Sequence, residues 1–120
     1  MDNGVVKPKI AILATMAPAD MPRVSMMLDY AAAACAMDYQ VLIFLALDSV
    51  LLVKKQVFEK LEDSIKSKFI NAVEMGVKFV ACSAAVQGFS VKEFARQDIE
   101  IWGVASFFDY ASDSKITLTL

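Results

Sequence analysis

The stretch Gln40 to Leu47, QVLIFLAL, decides the fold because every residue after the first is apolar. A strand with one wet face alternates apolar and polar residues, whereas a strand covered on both faces is a continuous apolar run. This run has the length of an ordinary strand and is too short for an ordinary buried helix. It therefore predicts a central strand of a parallel sheet with helices packed on both faces.

Four other segments have the composition of strands. Lys9 to Met16 (KIAILATM) precedes the central stretch and is a short apolar run. The later ones are Val77 to Ser83, Ile99 to Val104 and Ile116 to Leu120, the last of which alternates apolar residues with threonine.

Helical patterns separate these strands. Asp20 is predicted to be a helix N-cap, with Pro22 in the first turn. The spacing of apolar residues extends this helix to about Met37. A longer amphipathic helix is predicted before the third strand, with Gly76 ending it. Its apolar face comprises Phe58, Leu61, Ile65, Phe69 and Ala72.

Two shorter helical segments complete the alternation. They are a short helix at Val91 to Gln97 and a helical turn at Ala105 to Ala111. Strands that alternate with helices specify an α/β fold, a doubly wound parallel sheet with right-handed crossovers.

Composition points to a single domain, residues 1–120, that associates with other copies. The chain has 120 residues, 58% of them apolar, and a mean hydropathy of +0.51, more than an average soluble domain carries. Asp48 interrupts the most apolar stretch, Val41 to Val53, so no segment is long enough to span a membrane. We therefore expect apolar surface covered by other subunits in a homo-oligomer.

Several functional classes are excluded. Met1 to Lys9 has no signal-type apolar run, which favours a cytoplasmic protein. A net charge of −2 without a basic stripe disfavours nucleic acid. The absence of histidine removes the common zinc sites and Ser-His or Cys-His catalysis. The first-strand turn, Ala14 to Asp20, lacks the glycines of a dinucleotide site, so a Rossmann-type NAD site is not expected. A phosphate loop of the Gly-Lys-Ser/Thr type does not occur either, and we expect no cofactor.

Chemistry is expected where parallel strands end, because ligands of such sheets bind beyond their carboxyl ends. Three segments should converge there: Thr15 to Asp20, Asp48 to Lys55, and Cys82 to Phe89. The candidate cleft-lining residues in them are Thr15, Asp20, Asp48, Ser49, Ser83 and Gly88. Lys54 and Lys55 either lie near a thiol or are simply solvated.

Cys82 is the candidate catalytic residue. Small residues follow it, so its thiol should be approachable, and backbone N–H groups at a strand-to-helix turn favour a thiolate. The alternative is a buried core cysteine, since free cysteine is commonly buried. Cys35 lies on the apolar face of the first helix and is expected to be structural. A disulfide between the two is not expected without a secretory signal.

Taken together, the chain resembles the DsrE/DsrF-like (YchN-like) family, which includes sulfur-relay proteins. The resemblance covers nearly the whole chain in four segments of matching order and spacing. They are KIAILATMAPADMPRV (Lys9 to Val24), YQVLIFLALDSVLLVKK (Tyr39 to Lys55), MGVKFVACSAAVQGF (Met75 to Phe89) and WGVASFFDYASDSKITLTL (Trp102 to Leu120).

The resemblance implies a three-layer α/β/α fold with a five-stranded parallel sheet, assembled as trimers or hexamers. It also implies that Cys82 accepts persulfide sulfur from a donor protein and passes it to an acceptor. Several members have a second cysteine three positions on, where this chain has Ala85, so dithiol cycling is not expected. Two hypotheses remain: a sulfur carrier, or a non-catalytic oligomeric module that binds a ligand or protein with Cys82 structural.

Overall fold

The computed structural model describes residues 6–120. The first five residues, part of the N-terminal segment considered above for a signal sequence, lie outside the described residues. Five strands form one sheet: β1 (Lys9–Ala14), β2 (Gln40–Leu45), β3 (Lys78–Cys82), β4 (Glu100–Trp102) and β5 (Ile116–Thr119). Their order is β4-β3-β2-β1-β5, and every neighbouring pair is parallel, which confirms the predicted sheet.

The helices lie between these strands. They are α1 (Met21–Ala36), a 3₁₀-helix (Leu47–Val53), α2 (Lys55–Phe58), α3 (Asp63–Met75), α4 (Ser83–Gly88) and α5 (Val104–Ala111). None of the helices within residues 6–120 is both long and apolar enough to cross a membrane.

Strand β2 is covered on both faces, as its composition predicts. Val41 and Ile43 belong to the apolar cluster that includes the buried residues of α1 and α3. Phe44 belongs to a second cluster with α5, where its ring stacks on Phe107 with centroids 4.7 Å apart. Because adjacent strand residues point to opposite faces, one apolar run supplies both layers of the core.

Helix α1 begins where the sequence predicts. The Asp20 carboxylate accepts a hydrogen bond from the Arg23 backbone N–H at 3.3 Å, and Pro22 lies in the first turn. Helix α1 then packs along α3, and the Lys68 ammonium lies 2.8 Å from the Asp29 carboxylate between them. These two helices form one outer layer of the fold.

The single amphipathic helix predicted before β3 is wrong in its continuity. Two helices take its place, α2 and α3, because the backbone at Glu62 is extended, with φ −58° and ψ 145°. The apolar spacing was still informative, since Phe58 packs edge-on against Phe69 across the break, with centroids 5.2 Å apart. Gly76 ends α3 as expected, in a left-handed conformation with φ 108°.

The helix predicted at Val91 to Gln97 is also wrong. The helix after β3 begins at once, at Ser83, and ends at Gly88. The segment that follows is irregular and is joined to the end of the 3₁₀-helix. The Lys55 N–H donates to the Glu93 carbonyl at 3.0 Å, and the Ala95 N–H donates to the Val53 carbonyl at 2.8 Å. These long-range bonds occupy backbone groups that a helix would need.

Candidate functional site

The carboxyl ends of the five strands meet at one edge of the sheet, and this edge brings the predicted segments together. The Thr15 hydroxyl donates to the Leu120 carbonyl at 2.9 Å, joining the ends of β1 and β5. The Ser49 hydroxyl lies 2.8 Å from the Ala14 carbonyl oxygen and 2.6 Å from that of Ala46. Ser49 is fully buried, so its side chain joins β1 to the segment after β2.

Cys82 lies at this edge, as the last residue of β3 and the N-cap of α4. Its side chain is only 5% exposed and belongs to the apolar cluster that includes Val91 and Phe107. The small neighbours indicate an approachable thiol, but the residue is buried, as in the alternative of a core cysteine, in a cluster whose members include residues distant in sequence. The sulfur also makes no capping hydrogen bond to the first turn of α4.

The candidate residues Ser83, Asp48, Asp20 and Gly88 are all more exposed than Cys82. Ser83 is exposed, and its hydroxyl oxygen would lie 3.9 Å from a Cβ placed on Gly103. Asp48 is exposed in the first turn of the 3₁₀-helix. Asp20 caps α1 and lies 3.6 Å from the Arg23 guanidinium, and Gly88 ends α4 in open space.

A family comparison bears on these residues. The family model described as the DsrE/DsrF-like family matches residues 8–120, which include Cys82 and every strand. This chain belongs to the DsrE/DsrF-like family. No curated protein matches it by sequence.

Solved structures agree with this assignment at the level of fold. The YchN protein from E. coli is 14% identical, with a TM-score of 0.70 over 94% of this chain and 99% of its own. A protein of unknown function from Methanobacterium thermoautotrophicum is 12% identical, with a TM-score of 0.73 over 96% of this chain and 100% of its own. A conserved protein of unknown function from Bacteroides thetaiotaomicron is 15% identical, with a TM-score of 0.65 over 93% and 94% of the two chains. The chain therefore has the YchN-like fold.

The two cysteines of this DsrE/DsrF-like protein are both free. Cys35 packs against the cluster of α1 and α3, whereas Cys82 lies in the cluster of α5. Cys35 is partly exposed, more so than Cys82, which differs from the expected burial of the first thiol. Burial raises the pKa of the Cys35 thiol, and the Lys7 ammonium opposes that shift. Ala85 is buried three residues after Cys82 and offers no second thiol there.

Residues that could hold a metal are not grouped in the described chain. Within residues 6–120, no three side chains of cysteine, aspartate or glutamate come together as a ligand set.

Sequence reasoning missed one feature of this edge, a groove of about 640 Å³. The turn after β1, the segment from Lys54 to Leu61 and the irregular segment after α4 form its walls. Cys82 is not among its lining residues. The sequence leaves open a role for Lys54, but the groove itself depends on the irregular segment after α4, for which the sequence predicts a helix.

Proposed function

We propose that this DsrE/DsrF-like protein is a cytoplasmic sulfur carrier that accepts persulfide sulfur on Cys82 and passes it to a partner protein. The observation that carries the proposal is the position of Cys82, at the carboxyl end of β3 in a chain of this family. In parallel sheets this is the edge where ligands bind. Reduced thiols also persist in the cytoplasm.

The proposed reaction is an exchange at sulfur. The Cys82 thiolate attacks the outer sulfur of a donor persulfide, the bond between the two donor sulfurs breaks, and the donor leaves as a thiolate. Cys82 then carries one additional sulfur, which an acceptor thiolate removes by the same step. No external oxidant or reductant is consumed, and thiolate attack on a sulfur–sulfur bond requires neither metal nor organic cofactor.

The burial of Cys82 adds a condition to this reaction. A donor must reach the thiol of a residue that is 5% exposed and belongs to an apolar cluster with Val91 and Phe107. The most local opening would involve α4, which has only six residues and begins directly after Cys82. Short elements with few buried side chains open at lower free energy than the core. Loading is therefore expected to be slower than for an exposed thiol.

The test is intact-mass analysis after incubation with a protein or small-molecule persulfide. The wild-type chain is expected to gain one sulfur atom, removable by a reductant and localised to Cys82 by peptide mapping. Cys82→Ala should abolish this gain, and Cys35→Ala is the matched control that should retain it. Loading of neither cysteine, or of Cys35 alone, would refute the proposal.

A second candidate is a non-catalytic oligomeric module that binds a ligand or protein, with Cys82 structural. The observation that favours it is the burial of Cys82 in an apolar cluster, with no capping hydrogen bond from its side chain to α4. The same experiment separates the candidates, since a structural thiol shows no loading under native conditions and is modified only after unfolding.

We also propose that the functional form is a homo-oligomer, a trimer or a hexamer. Several apolar side chains near β4 and α5 are exposed: Ile101 is 50% exposed, Val104 48% and Phe108 65%. Neighbouring exposed apolar residues of this size mark an interaction surface. A second copy of this chain suits the surface, because the apolar content exceeds what one copy of this size is expected to bury.

A further inference from the structure

The groove beside the sheet edge has walls that are fixed by backbone hydrogen bonds. Its lining residues are Pro18, Ala19, Lys54, Gln56, Val57, Lys60, Leu61, Ser90, Lys92 and Glu93. The Glu93 carbonyl accepts from the Lys55 N–H, and a β-bridge joins Lys54 to Phe94. The irregular segment is therefore attached directly to the opposite wall of the groove by backbone hydrogen bonds.

The charge of the groove is positive although the chain carries a net charge of −2. Lys54, Lys60 and Lys92 line it, against the single carboxylate of Glu93, which lies 3.5 Å from the Lys55 ammonium outside the lining. Of the 12 basic residues, eight form ion pairs within residues 6–120. Three of the four that do not are these lysines, and the fourth is Lys115.

Solvated lysines are common on protein surfaces, but here three of them line one concavity. An anion bound in the groove would be attracted to their positive charges. The remaining wall is apolar, with Pro18, Val57 and Leu61. A volume of about 640 Å³ lies within the range of about 300 to 1,000 Å³ that small-molecule sites have.

We infer that this groove is a binding site for a small organic anion, one with a phosphate, sulfonate or carboxylate head and a short apolar body. The three lysines hold the head, and the apolar wall covers the body. The site is separate from Cys82, although Val91, between two lining residues, belongs to the Cys82 cluster. The inference does not depend on sulfur transfer.

The experiment uses 1-naphthyl phosphate as the probe, followed by amide chemical shifts in the ¹⁵N-labelled full chain. Saturable shifts are expected at Ala19, Val57 and Ser90, on the three walls of the groove. Inorganic phosphate and neutral naphthalene-1-methanol should each bind more weakly, because each lacks one part of the recognised chemistry. Binding by phosphate as strongly as by the probe would overturn the assignment of an organic ligand. Naphthalenesulfonate and naphthoate, compared with the phosphate, identify the preferred head.

The variants test the lysines directly. Lys54→Gln/Lys60→Gln/Lys92→Gln is expected to weaken probe binding by about tenfold or more, equal to about 1.4 kcal/mol. Lys115→Gln removes the remaining unpaired lysine outside the groove and should leave binding unchanged. Raising the ionic strength of the wild-type sample from about 0.01 M to about 0.1 M should also weaken binding, because the screening length falls from about 30 Å to about 10 Å.

Three further results would overturn the inference. They are no saturable binding at millimolar probe, equal binding by the triple variant and wild type, or shifts confined to the other large cavity. That cavity, about 650 Å³, is lined by Lys9 together with Asp109 and Asp113, and its lysine already lies 3.4 Å from the Asp113 carboxylate. If the triple variant does not fold, the effect of ionic strength on probe binding by the wild type tests the inference instead.

Discussion

At the scale of single residues, the environment of Cys82 determines which substitutions are informative. The residue is buried among apolar side chains, yet its backbone, with φ −69° and ψ 126°, has the extended conformation of an N-cap. Two opposing effects determine how a serine at this position changes the stability of the protein. Burial of an unbonded hydroxyl costs about 1 to 3 kcal/mol, whereas a capping hydroxyl stabilises a helix by about 1 kcal/mol relative to alanine.

We therefore expect Cys82→Ser to stay within about 1 kcal/mol of wild-type stability, because its hydroxyl can accept from the first-turn N–H groups of α4. Cys82→Ala lacks both the sulfur and the cap and should be the less stable variant. Urea unfolding of the two variants shows which of them is more stable, and Cys35→Ser is the control at the other thiol. A serine variant less stable than the alanine variant would mean that the hydroxyl is buried without a partner.

Tyr110 is expected to make the folding stability of the protein fall as the pH rises through the alkaline range. Burial raises the pKa of Tyr110 to about 12, and the Asp113 carboxylate adds to the shift. The neutral phenol is favoured in the folded state, so its contribution is complete below the ordinary pKa of about 10 and is lost as the pH rises to about 12. Tyr110→Phe should flatten the loss of stability between these pH values.

Denaturant unfolding at several alkaline pH values measures this effect, with Tyr30→Phe as the control at an exposed tyrosine. The Tyr110 substitution also removes a hydrogen bond at 3.2 Å from the phenol to the Gln40 carbonyl. A constant offset at all pH values would therefore report only that bond. The burial of the phenol predicts a difference in stability between the wild type and Tyr110→Phe that changes with pH.

At the scale of elements, the two glycines that end helices differ in backbone conformation. Gly76 has φ 108° and open space around its Cβ position, so only the backbone conformation resists a side chain. Gly76→Ala is expected to destabilise the protein by about 1 to 2 kcal/mol. Gly88 is the control, with open space and no positive φ, and Gly88→Ala should be neutral or stabilising by up to about 1 kcal/mol. Equal effects in thermal unfolding would contradict this account.

The elements also show what the sequence could and could not predict. Strand β2 and the caps at Asp20 and Gly76 follow from neighbouring residues, and the structure confirms them. Apolar spacing placed Phe58 on the correct face, but spacing does not reveal a break in the backbone at Glu62.

The segment after α4 and the candidate site depend on contacts distant in sequence. The bonds from Val53 and Lys55 to this segment determine its path and create the lysine-lined groove. The location of Cys82 at a strand end was predictable from its neighbours, and structure and prediction agree on it. Its burial, the alternative that the sequence left open, reflects a cluster whose members, such as Phe107, come from elements remote in the chain.

At the scale of the whole molecule, the apolar residues that give the chain its high mean hydropathy lie both in the core and on part of the surface. Both faces of the sheet bear apolar clusters, but the outer layers differ in extent. Helices α1 and α3 have 16 and 13 residues and form one layer, whereas α5 on the other side has eight. On this side Val104 and Phe108 of α5 and Ile101 of the edge strand β4 are exposed.

The proposed homo-oligomer should use this surface. Phe108 is 65% exposed on α5, and Ile101 and Val104 are close to it in the chain, on β4 and at the start of α5. We expect light scattering at micromolar concentration to give the mass of three or six chains. Phe108→Glu should reduce that mass, because a carboxylate buried between apolar subunits has no partner.

Met37→Glu is the matched control, since Met37 is 72% exposed but follows α1 in the layer on the other side of the sheet. It should leave the assembly intact. Both variants replace an exposed apolar residue by the same charge, so a difference between them reports location and not charge alone. A wild-type chain that remains monomeric at these concentrations would contradict the oligomer. A loss of mass with Met37→Glu but not with Phe108→Glu would instead locate the interface on the layer of α1 and α3.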